Sequence, residues 1–255
     1  MTFIDTERKG GVLEIAINRP EKKNALTGDM YNAFADAVEQ GEADPGVRVI
    51  LLYGKGDAFT AGNDLQDFIE IPWHEQSVPP AVRFIRTVAF ATKPLVAAVH
   101  GLAVGVGTTI LLHCDLVYAA HETRFMMPFI NLGIVPEAAA TVLLPLAVGR
   151  QRAAELFMLA TPFTAQRAYE MGLVNGVVDR DELLAAALGA AQQLAEKPLG
   201  ALLACKELMK RGFLAEVDRA LAEEVNVISE RLESPETAEA LRAFQEKRKP
   251  DFSKF

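Results

Sequence analysis

Cysteine is nearly absent from this chain. Cys114 and Cys205 are the only two, they form no CxxC, and no histidine pattern accompanies them. That excludes a disulfide framework and a zinc site, so no metal is expected, and both thiols are expected to be small buried residues in a reducing compartment. An apolar leader is missing too: MTFIDTERKGG carries no hydrophobic run, which gives a cytoplasmic expectation. The closing Ser253-Lys254-Phe255 approaches a peroxisomal address but ends in the wrong residue. Basic charge is outnumbered, with a net charge of -8. A surface that attracts nucleic acid overall is therefore excluded, while local basic clusters remain able to hold an anion. Charge of either sign is missing from Pro94 to Cys114, a run long enough to raise a membrane span. Its repeated glycines, two histidines and two threonines, with Asp115 closing it, point instead to a buried strand, turn and helix. No membrane span is expected.

What remains is an apolar chain. With 255 residues and 50% hydrophobic content, it can bury a sizeable core as one domain, or as a domain with an appendage. Repeats and low-complexity segments are lacking, but strand pairs followed by helices recur. Phe3 to Arg19 reads as a hairpin around Lys9-Gly10-Gly11. After the basic loop RPEKKNAL, Thr27 is placed to cap a helix with Met30, Phe34 and Val38 on one face, ending near Asp44-Pro45-Gly46. Val47 to Tyr53 reads as a buried strand, and GKGDAFTAGNDL as a glycine-rich loop into a short helix. Ile71 to Pro80 reads as a mobile connection in which His74 is solvated, and Val82 to Ala91 as a helix. Leu116 to Ala119 and Arg124 to Met127 read as short strands. Pro136 to Val148 and Gln151 to Ala160 read as helices broken at Gly149. Thr164 caps a short helix, LVNGVV forms a last strand, and Asp181 to Glu196 is helical. From Leu199 the pattern is helical throughout, with Val217, Leu221, Val225, Ile228 and Leu232 as one apolar stripe. The expected division is a core over residues 1–196 and a helical region over 197–255.

Two segments carry the chemistry. HGLAVGVGTTILLHCD, His100 to Asp115, follows a strand and spaces Gly101, Gly105 and Gly107 ahead of an apolar helix. Glycines there either let a backbone approach a ligand or serve helix packing. A helix starting near Gly105 would aim unpaired N–H groups at developing negative charge. Ile110 stands where a dinucleotide fingerprint needs its third glycine, so no nucleotide cofactor is implied. NLGIVPEAAAT, Asn131 to Thr141, puts Pro136 and Glu137 at an expected helix start among small apolar residues. Glu137 fits either a base with a raised pKa or an ordinary acid in a first helical turn. Asp64 likewise fits a helix cap or a ligand contact.

RPEKKNAL, AFTAGNDL, AAVHGLAVGVG, CDLVYAA and GLVNGVVD, in this order, resemble the motifs of the crotonase (enoyl-CoA hydratase/isomerase) superfamily over nearly the whole chain. The resemblance implies an α/β fold, a crotonase-like spiral of ββα units with a C-terminal helical trimerisation region. It implies a homotrimer or dimer of trimers, an acyl-CoA thioester as substrate, and no cofactor. By motif match, the thioester oxygen would lie between the backbone N–H groups of Asn63 and Val106. Ala61, Asp64, Leu65 and Gly105 would also contact substrate, and Phe129 and Leu132 would line an apolar acyl pocket with Ile134.

Departures from the family select the reaction. Hydratases of the family carry two glutamates where this chain has Thr109 and Phe129, so their means of activating water is missing. PFINLGIVPEAAAT, with FTAGNDLQDF, resembles the Δ3,Δ2-enoyl-CoA isomerases, whose single base matches Glu137. The expected function is that isomerisation, within fatty acid metabolism and β-oxidation. Alternatives are a ring-type isomerase of aromatic degradation, a weak hydratase, and a non-catalytic acyl-CoA-binding member. Lys22 and Lys23, with Lys247, Arg248 and Lys249 in the tail, are candidates for the CoA phosphates, or else solvated basic residues.

Overall fold

The structure, a computed structural model, describes residues 3–66 and 78–255. Strands β1 (Ile4–Lys9) and β2 (Val12–Ile17) pair antiparallel through a tight turn, with Lys9 opposite Val12. Thr27 then caps helix α1 (Gly28–Ala43) by accepting the Met30 N–H, and Met30, Phe34 and Val38 all face the core. Strand β3 (Val49–Gly54), helix α2 (Pro80–Ala89), strand β4 (Leu95–Val99) and strand β5 (Leu102–Val104) follow. Helix α2 starts two residues before its expected position because Pro80 suits a first helical turn. Beyond the single-turn helix α3 (Val106–Thr109) come β6 (Leu116–Ala120), β7 (Arg124–Met126), α4 (Ala140–Val148) and α5 (Arg150–Met158). Then come β8 (Phe163–Thr164), α6 (Ala165–Glu170), β9 (Gly176–Val178) and α7 (Arg180–Ala195). Three further helices finish the chain: α8 (Leu199–Arg211), α9 (Leu214–Leu232) and α10 (Pro235–Gln245).

The main sheet has the order β1-β2-β3-β4-β6-β9, and from β2 onward its pairs are parallel. Both faces of its centre are covered, which is why β3 and β4 are apolar without alternation, while the edge strand β1 is polar and largely exposed. Ile15, Ile50, Leu52, Leu95 and Val99 pack with Met30, Phe34, Phe84 and Val88 of α1 and α2. Val12, Val49, Leu51, Val96 and Ala98 meet Leu183, Ala187 and Ala191 of α7 on the other side.

Each turn of the chain leaves the main sheet and adds a short extended stretch beside the previous one. Leu26 bridges Asn63, Thr60 bridges Ala103, and β5 pairs parallel with β7, which pairs antiparallel with β8. These stacked turns make the spiral expected of the crotonase fold. They also bring the loops after β3, β4 and β7 side by side. Strands β5 and β8 are too short, at three and two residues, to carry a periodicity, and the sequence pattern does not announce them.

Two expectations need correction. Helix α4 starts at Ala140 and not at Pro136, because Ala138 and Ala139 both take left-handed backbone conformations, with φ of 65° and 52°. Cys205 is exposed and Cys114 only partly buried, since α8 turns Lys206, one position on, toward the interior. The Lys206 ammonium reaches Asp115 at 2.7 Å and the Lys93 carbonyl at 2.8 Å, while Lys93 closes the end of α1 by donating to the Gly41 and Asp44 carbonyls, both at 2.7 Å. Residues 71–77 of the expected connection, with His74, lie outside the described residues. Among those described, no helix is long and apolar enough to cross a membrane.

Thr27→Ala removes the side-chain cap of α1 while leaving its buried face intact. It is expected to lower unfolding free energy by about 1 kcal/mol, read as a shifted denaturant midpoint with an unchanged slope.

Candidate active site

Strand β5 is followed by Gly105, whose φ of 58° and ψ of -120° are reserved for a residue without a side chain. Its N–H donates to the Met126 carbonyl at 2.9 Å, and its own carbonyl accepts from Thr108 and Thr109 at 2.9 and 3.0 Å. Val106 therefore opens α3 with an N–H that has no partner within the helix. The neighbouring glycines divide the two readings that the sequence leaves open. A methyl on Gly107 would lie 2.4 Å from Thr60 Cγ2, so this glycine serves packing. A methyl on Gly105 would meet nothing within 4 Å, and Gly105 lines a cavity.

A second N–H faces the same region from the preceding turn. Leu26 donates to the Gly62 carbonyl and accepts from Asp64 N–H, both at 2.8 Å. The intervening Asn63 amide must therefore point away from Leu26. Its side-chain oxygen accepts from the Tyr31 hydroxyl, which ties the loop to α1. Asp64 is held by Arg19 at 2.8 Å in a largely buried pair, a structural engagement beyond capping alone.

Glu137 lies in the turn that precedes α4, not in a helix. Its carboxyl is buried, and among the described residues Oε1 has no hydrogen-bond partner. Burial, and after it the charge of Glu224, raise its pKa to about 8. Two buried side chains pin the turn. His113 Nε2 lies 2.8 Å from the Ala138 carbonyl. Burial lowers the pKa of this imidazole to about 4, so it is neutral and donates the Nε2 proton. From α9, Glu224 accepts from Ala139 N–H at 2.7 Å, Thr141 N–H at 3.0 Å and the Thr141 hydroxyl at 2.6 Å.

Asn63, Gly105 and Glu137 border one cavity of about 600 Å³, while the buried Val106 is not among its lining residues. Of the residues selected from sequence, Lys22, Ala61, Asn63, Asp64, Leu65, Gly105, Phe129, Leu132 and Glu137 line it. Lys23 is not among its lining residues; its ammonium pairs with Asp57 at the surface. Arg248 of the tail is engaged by Glu239 and Glu246. The structure adds Ile228 of α9 and Phe244 of α10 to the lining, so the C-terminal helices border the cavity of their own chain. Ile228 belongs to the apolar stripe, which sequence alone assigns to packing. Glu224 carries a clearer signal: it falls three residues after Leu221 and four before Ile228, a charge on a core-facing stripe. Nothing in the sequence singles out His113 as the residue that pins Ala138.

A carboxyl with a raised pKa, an apolar cavity and backbone N–H groups on the facing loops suit proton transfer next to a carbonyl, with the resulting negative oxygen met by N–H donors. A water-activating second acid is not evident where the hydratase motif would put one: Thr109 is buried with its hydroxyl 3.4 Å from the Gly105 carbonyl, and Phe129 is apolar.

Comparison with known proteins places the chain in one family. A family model described as enoyl-CoA hydratase/isomerase matches residues 7–254. The chain is 34% identical to the 1,2-epoxyphenylacetyl-CoA isomerase of Escherichia coli, over 99% of each chain. It is 33% identical to a probable enoyl-CoA hydratase of Bacillus subtilis, over 94% of this chain and 95% of that one. Among solved structures, an enoyl-CoA hydratase/isomerase from Pseudoalteromonas atlantica superposes with a TM-score of 0.93 at 41% identity, covering 98% of this chain and 99% of the other.

The buried acid makes stability depend on pH. Because the folded-state pKa of Glu137, about 8, exceeds its ordinary value of 4.5, its contribution is fully present below pH 4.5 and is lost as pH rises through 8. Glu137→Gln is therefore expected to match wild type in acid and to be the more stable protein at pH 9. Each pH unit between the folded and unfolded pKa values corresponds to on the order of 1.4 kcal/mol, and urea unfolding across the pH series measures the gain.

Proposed function

The chain belongs to the enoyl-CoA hydratase/isomerase family, and from that premise we propose that it is an acyl-CoA isomerase converting 3-enoyl-CoA to trans-2-enoyl-CoA with Glu137 as single base. The observation that carries this reading is the unpartnered, buried Glu137 carboxyl on the wall of the cavity. In its ionised form Glu137 takes a proton from C2. The C–H electron pair moves into the thioester, giving a dienolate whose oxygen accepts from the Asn63 and Val106 N–H groups. The carboxyl then returns the proton at C4 and the double bond settles between C2 and C3. No atom is gained or lost. One base suffices because the proton travels along one face of the acyl chain. Each oxyanion donor contributes roughly 3 kcal/mol.

Phe129, Leu132, Ile134, Ile228 and Phe244 supply an apolar lining for the acyl group and disfavour water beside the dienolate. Lys22, at the cavity, is the cation proposed for the CoA phosphates. The proposed assembly is a homotrimer; exposed Leu208, Met209, Phe213 and Leu214 in the C-terminal region support burial against another copy.

A second reading is favoured by the Escherichia coli relative, whose name records isomerisation of a ring-bearing CoA thioester. The same base and oxyanion donors would serve it, with the ring in the apolar part of the cavity. Product analysis on straight-chain and ring substrates separates the two.

Glu137→Gln is expected to lower kcat for 3-enoyl-CoA isomerisation at least 100-fold, roughly the scale of a general base, with acyl-CoA affinity retained; full turnover in this variant would remove Glu137 from the chemistry. In wild type, kcat/KM is expected to rise with pH through about 8, as the Glu137 carboxyl gives up its proton. A profile flat from about pH 6 to 9 would contradict that assignment.

A further inference from the structure

Glu224 comes from a helix remote in sequence from the proposed base, yet it meets the base's turn from below. Its carboxylate accepts three hydrogen bonds: Ala139 N–H on Oε2, and Thr141 N–H with the Thr141 hydroxyl on Oε1. The two N–H groups are donors in any protonation state, and the hydroxyl, 2.6 Å away, donates as well. The two N–H donors and the hydroxyl favour the ionised form and oppose the burial that raises the Glu224 pKa. The same bonds occupy amides at the start of α4 and hold Ala138 and Ala139 in left-handed conformations that alanine does not favour. His113 holds the turn from the other side through the Ala138 carbonyl.

A small cavity adjoins both acidic residues. Glu137 and Glu224 both line it, and its other walls are apolar: Ala81, Val82 and Ile85 of α2, Ala138, and Leu221, Val225 and Ile228 on either side of Glu224. Glu137 and Ile228 both border this space and the 600 Å³ cavity.

We propose that Glu224 is a positioning residue for the base: it fixes the turn that presents Glu137 to the cavity, and its carboxylate borders the same small cavity as the Glu137 carboxyl. The inference rests on the reading of Glu137 as the base. Other charges on the described elements near the turn have partners or places of their own. Arg83 and Arg86 on α2 engage Asp36 with Glu39, and Asp218. On α9, Glu223 pairs with Arg219, and Arg231 with Glu236. Asp64, across the large cavity, is bound by Arg19, Lys22 lines that cavity, and His113 is neutral. Among the described residues, Glu224 is the one charged group that raises the Glu137 pKa, second to burial itself.

The test measures Glu137 directly and then in turnover. The carboxyl carbon of Glu137 is followed by 13C NMR over about pH 4 to 10 in the whole protein, with Glu137→Gln assigning the resonance. Glu224→Gln is expected to move the Glu137 titration about one pH unit toward acid, the effect of removing a nearby like charge. The ascending limb of kcat/KM should move with it, and kcat should fall while affinity for a non-reactive acyl-CoA thioether is kept. Thr141→Val, which removes only the hydroxyl donor to Glu224, is expected to shift the titration in the same direction by a smaller amount, and it stands in if Glu224→Gln does not fold. An unmoved Glu137 titration in the folded variant overturns the proposal, as does a loss of stability alone with the limb unchanged. If Glu137→Gln keeps full turnover while the Glu137 titration still responds to Glu224, the assignment of the base fails and the coupling of the two carboxyls stands.

Discussion

Keeping a carboxyl out of water without a hydrogen-bond partner is costly, and much of this molecule is arranged to sustain that cost at Glu137. The turn beneath it would not hold its left-handed alanines unaided. It is gripped by a neutral imidazole on one side and a carboxylate on the other, and each grip depends on an element placed by the core. His113 ends the 3-10 turn Ile110–His113 that continues α3, and Glu224 rides on α9, whose Val217 and Leu221 pack into the main core. The site is thus supported from parts of the chain more than a hundred residues apart in sequence.

Lysines anchor the framework from beneath. Lys93 and Lys210 donate to carbonyls at and beyond the C-terminal ends of α1 and α2, where the helix dipole favours a positive charge. Lys206 joins Asp115 to the Lys93 carbonyl and so ties α8 to the sheet. Burial lowers the pKa of Lys210 to about 8, and the nearby Lys206 adds to that shift.

The sequence is most readable where one physical signal acts alone. The hairpin, the Thr27 cap, the strand periods and the apolar stripe of α9 all rest on local spacing, and the structure has them close to where the spacing puts them. A helix start at Pro136 is the wrong reading because proline followed by an acid is a sound local signal that tertiary bonds overrule: the amides a first turn would leave free are taken by Glu224. Burial of Cys205 is the wrong reading because a helix with one inward lysine does not announce which face is buried. The loops after β3 and β4 are readable because glycine spacing and motif order reinforce one another. Phe244 and Ile228 are not, since an apolar residue facing a cavity and one facing the core look alike in sequence.

The position of Glu137 on the border of two cavities bears on the fate of individual hydrogen atoms. On one side is a cavity to be filled by the acyl group, and on the other a small space walled by aliphatic side chains and one carboxylate. A carboxyl enclosed in this way is poorly placed to trade its hydrogen with bulk solvent. In the proposed reaction the atom lifted from C2 is therefore the same atom delivered to C4, and a deuterium label on the substrate survives in the product, relocated by two carbons.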